Sequence, residues 1–130
     1  MGGAWDGCSG LTAFPLLVTS SVTTLASTWN GCTGLTAFPL IDTSLVTDYS
    51  TAWDGCSNLA AFPLINASAG QLFVQTWEGC SALTAFPALD LSNATDLTGV
   101  WNNSFALASI DATGMAVNLN IQNLALLGVA

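Results

Sequence analysis

Apolar and polar positions along this chain recur every 24 residues without an insertion, as the tryptophans at 5, 29, 53, 77 and 101 mark. The first unit reads Trp5-Asp6-Gly7-Cys8-Ser9-Gly10-Leu11-Thr12-Ala13-Phe14-Pro15-Leu16, and copies run from Trp29 to Leu40, Trp53 to Leu64 and Trp77 to Ala88. A period of this size signals stacked units, each too small to bury its apolar side alone. Alternation about Phe14 predicts a strand in each unit, with Phe14 and Leu16 inward and Ala13 and Pro15 outward. Neighbouring strands would pair in a parallel ladder about 4.8 Å apart. Trp5, Trp29, Trp53, Trp77 and Trp101 then form one column of a repeat-stacking core. Cys8, Cys32, Cys56 and Cys80 form a second, Leu11, Leu35, Leu59 and Leu83 a third, and Phe14, Phe38, Phe62 and Phe86 a fourth.

The return segments are rich in Ser and Thr with apolar anchors three apart, Val22 with Leu25 and Val46 with Tyr49. That spacing predicts short helical or 3-10 turns, or irregular returns, with one face inward. Ser20, Ser44, Ser68 and Ser92 recur where a turn must start, and the glycines at 7, 31, 55 and 79 supply a turn just before each cysteine.

Residues 1–100 hold four such repeats, and 101–130 read as a degenerate fifth repeat and a cap. Ser104 stands where the earlier units have Cys, Ile110 where they have Phe and Asp111 where they have Pro. Val117 to Ile121 alternates like an edge strand, and Leu124 to Ala130 reads as an apolar closing turn. The Trp column starts with no comparable polar unit before it. An upstream partner is therefore expected there, either more polypeptide or another copy stacked end to end.

The run Trp-x-Gly-Cys-x-x-Leu-Thr-x-Phe-Pro resembles the BspA-like leucine-rich repeat family, and Leu11 to Leu16 fits the Leu-x-x-Leu-x-Leu pattern of leucine-rich repeats. The segments Phe38 to Thr47 and Leu89 to Thr95 also look like surface-protein repeats of mycoplasmas, Listeria and marine cyanophages. The resemblance covers residues 1 to about 111. It implies a leucine-rich-repeat-like solenoid with a parallel β-sheet on one face, and a surface or adhesive role. It carries no ligand site to any position, because this chain departs from the pattern in its Trp column, its Phe-Pro strand and its lack of Lys and Arg.

Charge sharpens this picture. The chain has no Lys, Arg or His and a net charge of −8, where an average chain of this length carries roughly 15 Lys and Arg. Phosphate backbones and anionic membrane surfaces are repelled, so nucleic acid is excluded as a partner and membrane insertion is not expected. No apolar run is long enough to span a bilayer, and no charged leader precedes an apolar stretch. Proteases that cut after Lys or Arg find no site, which suits an extracellular, cell-surface or virion location. Side-chain salt bridges cannot form.

Without His or Lys, general acid–base and amine chemistry have no carrier, so no enzyme is expected. The cysteines are expected as free buried thiols, since a straight column does not converge on a metal. Acidic residues form partial rows, with Asp6, Asp54 and Glu78 in one, Asp42 and Asp90 in another, and Asp48 and Asp96 in a third. Calcium between adjacent turns is the one cofactor these rows allow, against the plainer reading of a solvated surface. The candidate exposed face comprises Thr12, Thr36, Thr84, Pro15, Pro39, Pro63 and Pro87, a mildly apolar stripe that could take a protein, a glycan or another copy. A first reading is a structural and adhesive surface protein. The alternatives are a self-assembling filament subunit and a ligand-binding module of a larger adhesin.

Overall fold

The computed structural model describes residues 1–107. Its described part is a stack of 24-residue turns, but the leucine-rich-repeat arrangement is overturned. Among the described residues there is no helix, and extended pairing is limited to isolated parallel bridges at Thr24, Asp48, Leu72 and Asp96. No parallel sheet forms on the Leu-x-x-Leu-x-Leu face. Those bridges sit instead at the entrance to the Trp-containing turn. The expectations for Ile110, Asp111, Val117 to Ile121 and Leu124 to Ala130 lie outside the described residues.

What joins the repeats is a ladder made by turns. In the second repeat the N–H groups of Leu25, Ser27, Trp29 and Gly31 donate to the carbonyls of Asp48, Ser50, Ala52 and Asp54 at 2.7–2.9 Å. The intervening N–H groups of Thr28, Asn30 and Cys32 donate within the turn, to Leu25, Ser27 and Trp29. Alternate donors therefore point to the next repeat, these three close β-turns, and the Ala26 N–H donates to the Thr24 hydroxyl at 3.2 Å, so these backbone donors are satisfied without a strand. The pattern recurs from Tyr49, Thr51, Trp53 and Gly55 to Leu72, Val74, Thr76 and Glu78, and from Phe73, Gln75, Trp77 and Gly79 to Asp96, Thr98, Val100 and Asn102.

This zigzag needs two left-handed positions per turn. Gly7, Gly31, Gly55 and Gly79 have φ of 67–72°, and Asn103 takes the same place in the fifth repeat at 59°. The second position holds Gly3, Ser27, Thr51, Gln75 and Gly99. Positive φ at the third residue of a four-residue turn is the type II signature and favours Gly or Asn. Thr51 is β-branched at φ 52°, an uncommon choice. Its hydroxyl donates to the Ser50 carbonyl at 2.7 Å and lies 2.8 Å from the Ser27 hydroxyl.

The predicted strand fails at its proline. Pro has no N–H for a ladder and restricts the residue before it, so a Phe-Pro pair resists a sheet interior. The Ile65 N–H folds back onto the Pro63 carbonyl at 2.9 Å, and Leu89 does the same with Pro87. That three-residue turn throws its middle residues, Leu64 and Ala88, outward. Leu64 is 62% exposed, Leu16 and Leu40 are 73% and 59% exposed at the same place in their repeats, and the residues that follow in the later repeats, Ile41, Ile65 and Leu89, are buried instead. Leu16 points out, not in. The predicted helical or 3-10 returns are absent from the described residues too: a single turn closed by Val22 N–H to the Thr19 carbonyl stands there.

The core is a lattice of aromatic rings. Trp5, Trp29, Trp53, Trp77 and Trp101 stack with centroids 5.4–6.2 Å apart and planes within 14° of parallel. Phe14, Phe38, Phe62 and Phe86 stack beside them at 5.7–6.1 Å. The two columns meet edge to face, 4.6–5.2 Å between centroids. Both arrangements are the favoured ones for ring quadrupoles. Inside the third return, Gly70 is small because the Phe73 ring fills the space where its side chain would be.

Candidate functional site

The residues that look most reactive in the sequence are turned into the stack. Trp29, Trp53 and Trp77 are fully buried and Trp101 nearly so, while Trp5 is half-buried. Leu35, Leu59 and Leu83 are buried and Leu11 half-buried; Phe14, Phe38 and Phe62 are buried and Phe86 half-buried. The indole N–H groups of Trp29, Trp53, Trp77 and Trp101 meet no oxygen or nitrogen acceptor, so ring contact has to offset their desolvation.

The cysteine column is more than small apolar filling. Cys32, Cys56 and Cys80 are buried, and each thiol donates at 3.2 Å to the carbonyl of the tryptophan one repeat back, Trp5, Trp29 and Trp53. Burial pushes all three thiols up from their ordinary range, Cys56 to about 12, so none is a thiolate near neutral pH. All four cysteines are free, and Cys8, expected among the buried ones, is exposed. Ser104 continues the column: its hydroxyl donates to the Trp77 carbonyl at 2.8 Å. The substitution that looks like decay in the sequence keeps the donor.

Buried threonines make further links that periodicity did not single out. Thr19 and Thr43 donate to the carbonyls of Asp42 and Asn66, each at 2.7 Å, and Thr76 donates to Tyr49 at 3.0 Å. Their columns change to Ala, Leu or Val in other repeats, which is why no regular Thr pattern announced them. The Tyr49 hydroxyl lies 3.3 Å from the Asn66 carbonyl and 3.4 Å from that of Thr43, and burial raises its pKa to about 12.

The carboxylates fall into two environments. Asp54 is raised by partial burial and by Glu78 in the next repeat. Glu78 in turn accepts from the Gln75 amide at 2.6 Å and the Asn103 amide at 3.3 Å. Asp42 and Asp90 are exposed and lowered, Asp42 by the N–H and then the hydroxyl of Ser44 and Asp90 by the hydroxyl and then the N–H of Ser92, with each N–H 3.0 Å from the carboxylate. Among the described residues no three acidic or thiol side chains converge on a point that could hold a metal ion.

What faces solvent is a regular stripe. Thr12, Thr36 and Thr84 are exposed, as are Ala13, Ala37, Ala61 and Ala85. Pro15 is exposed, whereas Pro39, Pro63 and Pro87 are half-buried. Beside them run Leu16, Leu40 and Leu64, then Ala88. No charged residue occurs between Leu11 and Leu17 or at the equivalent positions of the other three repeats. The Thr candidates are thus exposed and three of the four Pro candidates half-buried, and the exposed leucines are ones the alternation rule had assigned to the core. No family model matches the chain, and neither the curated proteins nor the solved structures include a match. The likeness to BspA-type repeats therefore rests on the motif residues alone.

Proposed function

We propose that this protein is a non-enzymatic structural and adhesive component of a cell or virion surface, and that its uncharged Thr-Ala-Pro-Leu stripe makes the contact. The observation that carries the reading is the exposed leucine ladder of Leu16, Leu40 and Leu64. Large apolar side chains aligned in the open mark interaction sites more often than they mark idle surface. The stripe is flat and repetitive and lacks a convergent polar cluster, which suits an extended glycan or a protein face better than a small molecule. The chemistry left to the interior supports a passive role, since the buried thiols are held protonated on carbonyls and no His or Lys is available.

The complete absence of Lys and Arg supports an extracellular setting, where proteases with basic specificity are common. A glycan array probed with the labelled chain, together with a pull-down from host-surface extracts, tests the contact. Binding should fall about tenfold or more in Leu40→Glu/Leu64→Glu, because two carboxylates would enter an apolar contact. Binding unchanged by that pair would overturn the assignment to this face.

A further inference from the structure

We propose that Asn66 is an N-glycosylation acceptor, taking an oligosaccharide on its side-chain amide nitrogen. Three Asn-x-Ser/Thr triplets occur in the chain, Asn66-Ala67-Ser68, Asn93-Ala94-Thr95 and Asn102-Asn103-Ser104. A triplet alone is a weak signal, because acceptance by a folded chain needs a surface site with amide and hydroxyl both within reach. The fold meets these needs at one triplet and denies them at the other two. Asn93 is exposed, but its amide nitrogen donates to the Ser68 carbonyl at 2.7 Å, and the Thr95 hydroxyl donates to the Gln71 carbonyl at 3.1 Å. Asn102 is exposed too, yet its partner Ser104 is buried, with the hydroxyl committed to the Trp77 carbonyl at 2.8 Å.

At Asn66 the arrangement is reversed. The Ser68 hydroxyl lies against the Asn66 side chain itself, donating to Oδ1 at 2.7 Å, beside the Ser68 N–H at 3.1 Å. Asn66 is exposed, and its Nδ2 atom donates to no described residue. The neighbouring repeats show that the fold does not need this nitrogen. Asp42 and Asp90 hold the same place one repeat to either side, and each accepts the N–H of Ser44 or Ser92 on a carboxylate oxygen at 3.0 Å. The turn therefore asks only for an oxygen. Asn66 supplies one and has a nitrogen over. Leu64 and Asn66 both face solvent with Ile65 buried between them, so a glycan can leave the surface without displacing the core. In the transfer, Nδ2 bonds to C1 of the first sugar as the C1–O bond to a polyprenyl diphosphate breaks. One Nδ2 proton passes to a base of the transferase, and the diphosphate departs with the bonding electron pair. An acceptor role rests on the extracellular setting proposed above, and not on the leucine stripe.

The folded full-length chain is incubated with a detergent-solubilised oligosaccharyl transferase and a polyprenyl-diphosphate oligosaccharide, and the products are mapped by mass. Cleavage after aromatic residues not followed by Pro puts the triplets on separate peptides, residues 54–73, 78–101 and 102–105. Occupancy at Asn66 should exceed that at Asn93 or Asn102 by about tenfold or more, since at those sites a hydrogen bond must break first. Synthetic peptides of the three triplets should lose that preference. Ser68→Ala should abolish transfer to Asn66 with circular dichroism unchanged, and Asn66→Asp should melt as the parent does while accepting nothing at that position. No transfer to Asn66, a preference for Asn93 or Asn102, or a preference for Asn66 that persists in the peptides overturns the assignment. So does transfer that survives Ser68→Ala, or an Asn66→Asp chain that melts well below the parent. These readings need no surface ligand, so loss of the adhesive contact would leave them standing.

Discussion

At the scale of single residues, the cysteine column shows how far side-chain identity alone can mislead. Cys32, Cys56 and Cys80 were legible as interior residues from their spacing. Their role as donors to the Trp5, Trp29 and Trp53 carbonyls was not, because an S–H donor and a small apolar group read alike in a hydrophobic pattern. Ser104 was the available signal: a hydroxyl in a buried column is costly without a partner, so the column must offer an acceptor. It follows that Cys56→Ser should be tolerated better than Cys56→Val. Valine is similar in size but leaves the Trp29 carbonyl without that donor, and we expect it to cost about 1 kcal/mol more in urea unfolding. Equal stability of the two variants would mean that the thiol only fills space. Reactivity gives an independent check. Under native conditions a maleimide should modify Cys8 alone, with the other three thiols reacting only after denaturation, as intact mass would report.

At the scale of the element, the 24-residue count and the ring columns were legible, because a large apolar side chain at a fixed interval has few places to go except against its own copy. The type of backbone was not. Ala-Phe-Pro-Leu alternates as a strand does, but its proline removes a ladder donor and the Pro63–Ile65 turn reverses which side chains face in. The hydrogen-bonded ladder moved to the Asp-Tyr-Ser-Thr-Ala-Trp stretch, where polar side chains hide the pattern and left-handed positions carry it. Glycine at that place is the readable trace. Gly55, at φ 71° with the Gly31 Cα 3.6 Å from where a Cβ would stand, has room but the wrong backbone region for alanine. Gly55→Ala should therefore destabilise by roughly 1–2 kcal/mol, and Gly55→Asn by less, since Asn103 occupies this turn position naturally. Thermal melts of the two variants check the order, and alanine as the milder change would contradict a left-handed requirement. Gly70→Val tests the other kind of constraint. Its Cβ would already collide with the Phe73 ring, an overpacking worth about 1–3 kcal/mol or more.

At the scale of the whole molecule, stability rests on stacked rings and backbone ladders in a chain that carries eight carboxylates and no cationic side chain. The usual cause of acid unfolding, protonation of carboxylates paired with Lys, Arg or His, has nothing to act on. Two opposing titrations remain. Asp54 is raised in the folded state, by desolvation first and Glu78 second, so its contribution is fully present below the ordinary carboxylate pKa and is lost as pH rises through the raised value. Asp42 and Asp90 are lowered by their bonds to Ser44 and Ser92, so theirs is present above the ordinary value and lost as pH falls through the lowered one. Those two groups are solvent-exposed, and screening weakens what they contribute. General repulsion among like charges also relaxes on acidification. The melting temperature should therefore hold steady or rise between pH 7 and pH 4, and added salt should raise it at pH 7. Asp54→Asn puts at the third turn the residue that Asn30 and Asn102 hold in theirs. It should stabilise the fold at pH 7 by about 0.3 kcal/mol, the size of one screened like-charge pair, and should change little at pH 2, where Asp54, raised in the fold, is neutral. Circular dichroism melts of the two proteins at these pH values decide it. A variant less stable at pH 7 would show that Asp54 is held by a favourable contact, and a melting temperature falling steadily from pH 7 to pH 4 would show that ionised carboxylates support the stack.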